Sequence, residues 1–403
     1  MSATRKARTW GDRLSRVSVY VILSVAGIVV LIPFILAFFG SFKTAEDVFT
    51  FPPRLLPRDP ATATVDGEQR PLFAVPVGTG TQTLARVEQG ISVREFRSTT
   101  DDAVVVLAPK DQASEVPGKT VTIEGEQVPV YTVTVAGQPV EVYDARSRIV
   151  SSYVDPANPN APPVFAPASV TVPAEQLGWH SENYTKVLDI PGFKRSLTNT
   201  VLVTALVVVG QVITSIMGGY AFSRLRFRGR DQLFLFYLGS IMIPFVVLMI
   251  PLYRLMVTIG WVNNLVSLVI PFVFTAYGTF LMRQFFVSIP RELEEAAIID
   301  GAGRWRILWS VLVPLSIPAI ATLATFSFLY AWNSFIWPLI VIDSGNLDNS
   351  VLSLTLSVLG GRAADAPNLI LAGVMIAMIP PVTVFLLAQR SFVENAASSG
   401  LKG

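Results

Sequence analysis

Ser288-Ile-Pro-Arg-Glu-Leu-Glu-Glu-Ala-Ala-Ile-Ile-Asp-Gly-Ala-Gly-Arg-Trp-Arg-Ile-Leu-Trp-Ser-Val-Leu-Val-Pro314 is a polar island between two long apolar runs, and its reading decides the fold. Pro290 stands near its start, Glu292, Glu294 and Glu295 crowd the first turns, and Gly301 follows them. Carboxylates near an N-terminus complement the helix dipole and a glycine just past the end stops the helix, so the spacing predicts one short helix. Ala296 and Ala297 leave one face thin enough for close approach by another protein. Two readings stand at this point: a loop helix lying on a membrane, or a docking helix for a protein partner.

Working outward, Arg283, Arg291, Arg304 and Arg306 surround the predicted helix, and the runs beyond them carry no charge. A hydrocarbon core of about 30 Å needs about 20 apolar residues in a helix. Six charge-free runs of about that length occur: Val17 to Phe39, Asn199 to Phe222, Leu233 to Tyr253, Leu265 to Met282, Pro314 to Ile342 and Leu369 to Ala388. An even number of spans puts both termini on one side. Orientation follows from Lys and Arg in the short loops. The N-terminal tail carries Arg5, Lys6, Arg8, Arg13 and Arg16, and the second-to-third loop carries Arg224, Arg226, Arg228 and Arg230. With the four arginines around the polar island, and Arg390 and Lys402 in the C-terminal tail, fifteen lie on one side, against Arg254 and Arg362 in the short loops opposite. The first set is expected to be cytoplasmic and residues 43 to 198 outside. The basic tail also suits a cleaved signal peptide, but a 23-residue run exceeds the roughly 7 to 15 residues of a signal core. Tyr20 and the Phe38-Phe39 pair fit interfacial anchoring instead.

Composition agrees with a membrane chain. Of 403 residues, 51% are hydrophobic and only 15% charged, against roughly 25% charged in soluble proteins. The mean hydropathy is +0.53 and the pI about 8.8. Disorder is excluded, because it requires low hydrophobicity and high net charge, and a net charge of +2 is too weak a field for a nucleic-acid binder. Residues 43 to 198 hold 14 basic and 19 acidic side chains, a net of −5; the remainder holds 17 and 10, a net of +7. Two unlike bodies share the chain.

Within the outer body, Ile91 to Phe96, Ala103 to Leu107, Thr120 to Ile123, Tyr131 to Val135 and Val140 to Tyr143 alternate as strands, with Gly125 and Gly137 at the breaks. Asp155 to Pro173, rich in Pro, Ala and Asn, reads as a linker back to the membrane. A small β domain of roughly 100 residues is long enough for its own core.

Catalytic chemistry is scarce. There is no cysteine and a single histidine, His180, beside Trp179 and best read as an interfacial residue. No metal site is expected, since one needs three or four convergent ligands. Pro117-Gly118-Lys119-Thr120 ends like a phosphate loop, but Ala113 stands where its first glycine belongs and a strand follows. Asp101-Asp102 reads as a solvated pair, and Asn183-Tyr-Thr185 is a glycosylation sequon with a high chance rate. The charge-free spans offer no ion-coupling relay, so energy for moving a solute is expected to enter through a partner. Among the uncharged polar span residues, Gln211, Tyr277, Tyr330 and Asn333 are candidates for a solute path; interhelical hydrogen bonding is the other reading.

Glu295-Ala296-Ala297, then Asp300-Gly301-Ala302, then Val311-Leu312-Val313-Pro314 resemble the signature loop of the membrane subunits of bacterial ABC importers. Phe51-Pro-Pro53, Glu182-Asn-Tyr184, Tyr220-Ala-Phe-Ser-Arg-Leu-Arg-Phe227, Ile250-Pro-Leu-Tyr253, Phe280-Leu-Met-Arg-Gln-Phe-Phe286 and Ala331-Trp-Asn-Ser-Phe-Ile-Trp-Pro-Leu339 are similar to the carbohydrate branch, the smaller permease of maltose-type systems. Together these strings cover residues 1 to 56 and 179 to 403. Val311 and Val313 replace the more usual Ile and Leu, and the β segment interrupts a connection that is normally a few tens of residues long.

The resemblance implies an all-α polytopic membrane protein, with six transmembrane helices of the ABC importer type I permease fold and an inserted β-rich extracytoplasmic domain. It implies a bacterial inner-membrane location and import of a sugar or related polyhydroxylated solute. The partners implied, besides membrane lipid, are a second homologous permease, two ABC ATPase subunits that hydrolyse the ATP, and an extracellular solute-binding protein; nucleic acid is not among them. Glu295, Ala296, Ala297, Asp300, Gly301 and Ala302 would carry the ATPase contact, with no catalytic residue, metal or cofactor in this chain. The expected division is a cytoplasmic tail 1–16, a first span 17–39, an insert and linker 57–178, a five-helix core 199–390 with the coupling loop 288–314, and a tail 391–403. The insert either docks the binding protein or is decoration. A rival reading is a membrane-anchored sensor whose β domain binds a ligand; an intramembrane enzyme is disfavoured by the missing Cys and the charge-free spans.

Overall fold

The structure is a computed structural model that describes residues 10–400 apart from Thr79, 101–104, Glu124, 136–137, Ser344 and 362–363; for 10–15, Val135 and 390–400 only the backbone is described. Arg5, Lys6, Arg8, Asp101-Asp102, Ala103, Gly137, Arg362 and Lys402 therefore lie outside the described residues. The chain divides into a helical unit, up to Leu55 and from His180, and a β unit, Leu56–Trp179.

The helical unit contains α1 (Trp10–Gly40), α2 (Ala45–Val48), α3 (Glu182–Leu188), α4 (Phe193–Arg224), α5 (Arg230–Gly239), α6 (Phe245–Thr258), α7 (Val266–Val269), α8 (Ala276–Ser288), α9 (Glu292–Ile299), α10 (Arg304–Ile307), α11 (Val313–Leu315), α12 (Ile317–Trp332), α13 (Ile336–Val341), α14 (Leu352–Gly360) and α15 (Pro367–Gly400). Three helical stretches, Arg16–Gly40, Phe193–Arg224 and Pro367–Gln389, are each long and apolar enough to cross a membrane. Along α1 apolar side chains from Val17 to Phe38 stay exposed, a surface suited to lipid.

The third, fourth and fifth charge-free runs do not form single straight helices. Each contributes to a bent pair: Arg230–Met242 with Phe245–Thr258 at 98°, Val266–Phe272 with Ala276–Ser288 at 40°, and Arg304–Leu315 with Ile317–Trp332 at 81°. Proline explains two of the breaks, because it removes a backbone donor and crowds the preceding turn. Pro244 precedes α6, and Pro314 and Pro318 flank Ser316. At the remaining break α4 supplies the missing partners: Gln211 Nε2 donates to the Phe272 carbonyl (2.7 Å) and Thr214 Oγ1 to that of Val273 (2.6 Å). Carbonyls freed at membrane depth need such partners.

Close approach of α4 and α8 depends on small residues. A Cβ on Gly219 would meet Met282 Cβ at 2.7 Å and the Arg283 nitrogen at 2.9 Å, so any larger residue there would push the helices apart. At the C-terminal end of α1, Asn183 is buried and its amide donates to the carbonyls of Ser41 and Lys43 (2.9 Å each), while Asn368 donates to its Oδ1 (3.1 Å). The sequon asparagine is thus a packing element that joins α1, α3 and α15.

The β unit contains β1 (Arg58–Pro60), β2 (Thr62–Val65), β3 (Glu68–Val77), β4 (Gly80–Ser98), β5 (Val105–Ala108), β6 (Ser114–Ile123), β7 (Glu126–Val135), β8 (Gln138–Val154), β9 (Val164–Ala166), β10 (Val172–Pro173) and β11 (Glu175–Leu177). The main sheet runs β10-β3-β4-β8-β7-β6 with β2 on β3, β5 on β4 and β9 on β8; β1 and β11 form a separate pair. All its pairings are antiparallel. The presumed linker is a correction: 155–173 contains β9 and β10, which pair with β8 and β3. The two strands are three and two residues long, too short for an alternating pattern to show, and backbone pairing places them in the sheet. The long strands β4 and β8 serve two small cores, one around Val75, Leu84, Tyr153 and Ala166, the other around Phe96, Ala108, Val133 and Val142. Register shifts at Arg86/Glu88, Gln89/Ile91 and Glu95/Phe96 bend the ribbon.

Candidate functional site

Helix α9 forms as its sequence predicts and ends at Gly301, whose φ of +79° is open to glycine at little cost. The Ala302 N–H bonds the Ala297 carbonyl and the Gly301 N–H that of Ile298, both at 2.9 Å, a Schellman stop. This stop turns Ala297 and Ala302 toward a core of Tyr220, Phe286, Ile289, Ile307 and Leu308. Glu295, Ala296, Asp300 and Gly301 remain exposed. The six residues expected to act together therefore divide, four on the open face and two in the seam beneath. Leu293, Ile298, Ile299 and Trp305 share the exposure, with Ile299 at 86%.

Underneath, Arg224 Nε and Glu294 Oε1 form an ion pair at 2.6 Å, with side chains only 5% and 15% exposed. Arg224 Nη2 also donates to the Ile289 carbonyl at 2.7 Å. Tyr220, one turn earlier on α4, donates to the Arg304 carbonyl at 3.3 Å. The sequence places Glu294 among the dipole-complementing carboxylates, Arg224 among the loop charges and Tyr220 in a family-like string, but nothing in it joins the three, because about 70 positions separate Tyr220 and Arg224 from the loop.

Gln211, Tyr277 and Tyr330 converge on a cleft of about 730 Å³, also lined by Ser240, Phe326 and Ser327. Ser327 Oγ is buried without a hydrogen-bond partner. Asn333 is not with them: it follows the end of α12, is exposed, and its amide donates to the Leu329 carbonyl at 2.9 Å. His180 Nδ1 lies 2.7 Å from Glu182 Oε1, and the hydrogen bond lowers the Glu182 pKa. Among the described residues no cluster of His, Cys, Asp or Glu is able to hold a metal.

Residues 210–396, which contain this loop and this cleft, match the family described as binding-protein-dependent transport system inner membrane component. The chain is 34% identical over 239 residues to the sn-glycerol-3-phosphate transport system permease protein UgpE of Rhizobium meliloti (strain 1021), covering 58% of this chain and 84% of the relative. The chain belongs to this permease family. A second relative, the arabinooligosaccharides transport system permease protein AraQ of Halalkalibacterium halodurans, is 34% identical over 205 residues, 51% of this permease and 73% of AraQ. Among solved structures, a bacterial ABC transporter involved in the import of the acidic polysaccharide alginate aligns with a TM-score of 0.48 and 27% identity, over 54% of this permease and 81% of that chain. The chain is a permease subunit of an ABC importer and not its ATPase. The residues matched by the family model, 210–396, lie outside the β unit.

Proposed function

We propose that this permease carries a sugar or related polyhydroxylated solute inward through six spans, three of them broken, with both termini cytoplasmic. It pairs with a second permease, two ATPase subunits and an extracellular solute-binding protein, and the β unit faces that protein. The observation that carries the reading is the exposed face of α9. Apolar Leu293, Ile298 and Ile299 stand beside Glu295 and Asp300, a combination that is unfavourable in water and suited to a protein partner. The ATPase takes that face, contacting Glu295, Ala296, Asp300 and Gly301, while Ala297 and Ala302 hold it in position. The solute class is supported by the cleft, where Tyr277, Phe326 and Tyr330 offer ring faces and Gln211 and Ser327 offer polar groups, and by the solutes in the names of the two relatives.

The test is uptake into liposomes by the purified complex with its binding protein. Wild-type uptake is expected to require ATP. Glu295→Lys or Gly301→Asp is expected to leave the complex assembled while uptake falls at least about tenfold, the scale of a coupling energy of 1–3 kcal/mol. Normal uptake in both variants would overturn the docking assignment. A chain that reports a ligand of the β unit without moving any solute would return the sensor reading.

A further inference from the structure

The last turn of α4 holds the loop at three points: Ile289 before α9, Glu294 within it and Arg304 after it. Two side chains make all three contacts, Tyr220 and Arg224, spaced four residues apart and therefore on one helix face. Thirteen residues before Arg224, the same helix presents Gln211 to the cleft, about 20 Å away at the helical rise. One unbroken helix thus joins the loop to the cleft.

We infer that the Arg224–Glu294 pair is the positioning contact that makes the loop and α4 a single lever, so that displacement of α9 turns the wall of the cleft with no slip between them. This rests on the importer reading above. Arg224 is not among the residues that line the cleft; it acts through Glu294 and the Ile289 carbonyl. An ion pair suits the task for a physical reason. A buried pair contributes little more stability than apolar side chains of the same size, but removing one partner leaves a buried charge and is strongly unfavourable. It therefore resists sliding and separation, whereas an apolar contact permits both.

Two variants test this on the full complex. Arg224→Met combined with Glu294→Leu keeps the seam filled. It is expected to assemble at the wild-type level and to hydrolyse ATP, while the solute moved per ATP falls at least about fivefold, the low end of a coupling energy. A merely structural pair would leave that ratio unchanged, and an unchanged ratio overturns the inference. The second variant replaces both positions with cysteine in a chain that has none of its own, and a short bifunctional thiol reagent joins them. Restored uptake supports a seam that stays closed through the cycle, and blocked uptake shows that it must open and overturns the lever. A wild-type complex that moves no solute with ATP would instead overturn the importer reading itself.

Discussion

Among the described residues each unit buries one glutamate against arginine, and the two do so differently. In the helical unit Glu294 meets a single guanidinium, both partners being almost out of solvent. In the β unit Glu95, 3% exposed, meets three: Arg146 Nε at 2.9 Å, Arg97 Nη2 at 3.0 Å and Arg148, with the arginines 37% to 56% exposed. Burial by itself raises the Glu95 pKa, but hydrogen bonds from Arg146 and Arg97 and the charge of Arg148 more than offset it and lower the value from 4.5 to about 2. A trio with exposed arms is redundant and tolerates motion of any one arm. A buried pair has no substitute for either member. The first arrangement suits a domain that must remain folded, the second a joint that must not slip.

The largest effect expected from breaking this contrast is at the joint. Arg224→Ala leaves the Glu294 carboxylate buried and unpaired, a cost of about 3–5 kcal/mol. Hydrogen exchange in residues 289–304 should rise sharply while the β unit is unaffected. Next comes acid. Because the folded Glu95 carboxylate binds its proton less readily than the unfolded one, the stability it supplies is complete above about pH 4.5 and is lost as pH falls through about 2. That difference amounts to at most about 3 kcal/mol, and less because solvent screens the half-exposed arginines, and Glu95→Gln should abolish it at every pH. Limited proteolysis between Leu56 and Trp179 across this window measures both. The smallest effect is expected for Arg146→Ala, less than about 1 kcal/mol, since Arg146 is more than half exposed and two arginines remain. If Arg146→Ala unfolds the β unit as readily as Glu95→Gln, the redundancy argued here fails.

Much of this was legible from residue order. Helix α9 and its stop followed from Glu292, Glu294, Glu295 and Gly301, all local signals. The strands of the β unit showed wherever alternation was strong, as in Tyr131 to Val135. Strands β9 and β10 did not, because at three and two residues they are too short to alternate and are defined by backbone pairing with β8 and β3. Likewise, hydropathy marked the apolar runs but not their breaks. The bend at Phe272 to Ala276 depends on Gln211 and Thr214, some 60 residues away, to donate hydrogen bonds to its carbonyls. Asn333 was grouped with Gln211, Tyr277 and Tyr330 because all are polar span residues, yet it falls just past the end of α12, where its amide turns back to the preceding turn.

By itself, then, the sequence determined where the chain changes from charged to uncharged, where a short acidic helix starts and stops, and that no thiol is present for chemistry. Those properties depend on residue type and near spacing alone. Only the tertiary structure decided which of three glutamates in α9 turns inward, since Glu292, Glu294 and Glu295 are chemically alike and the choice belongs to an arginine some 70 positions earlier. It likewise decided which polar span residues share a cleft. Both outcomes depend on helices meeting at particular rotations, and rotation is set by packing against neighbours distant in the chain.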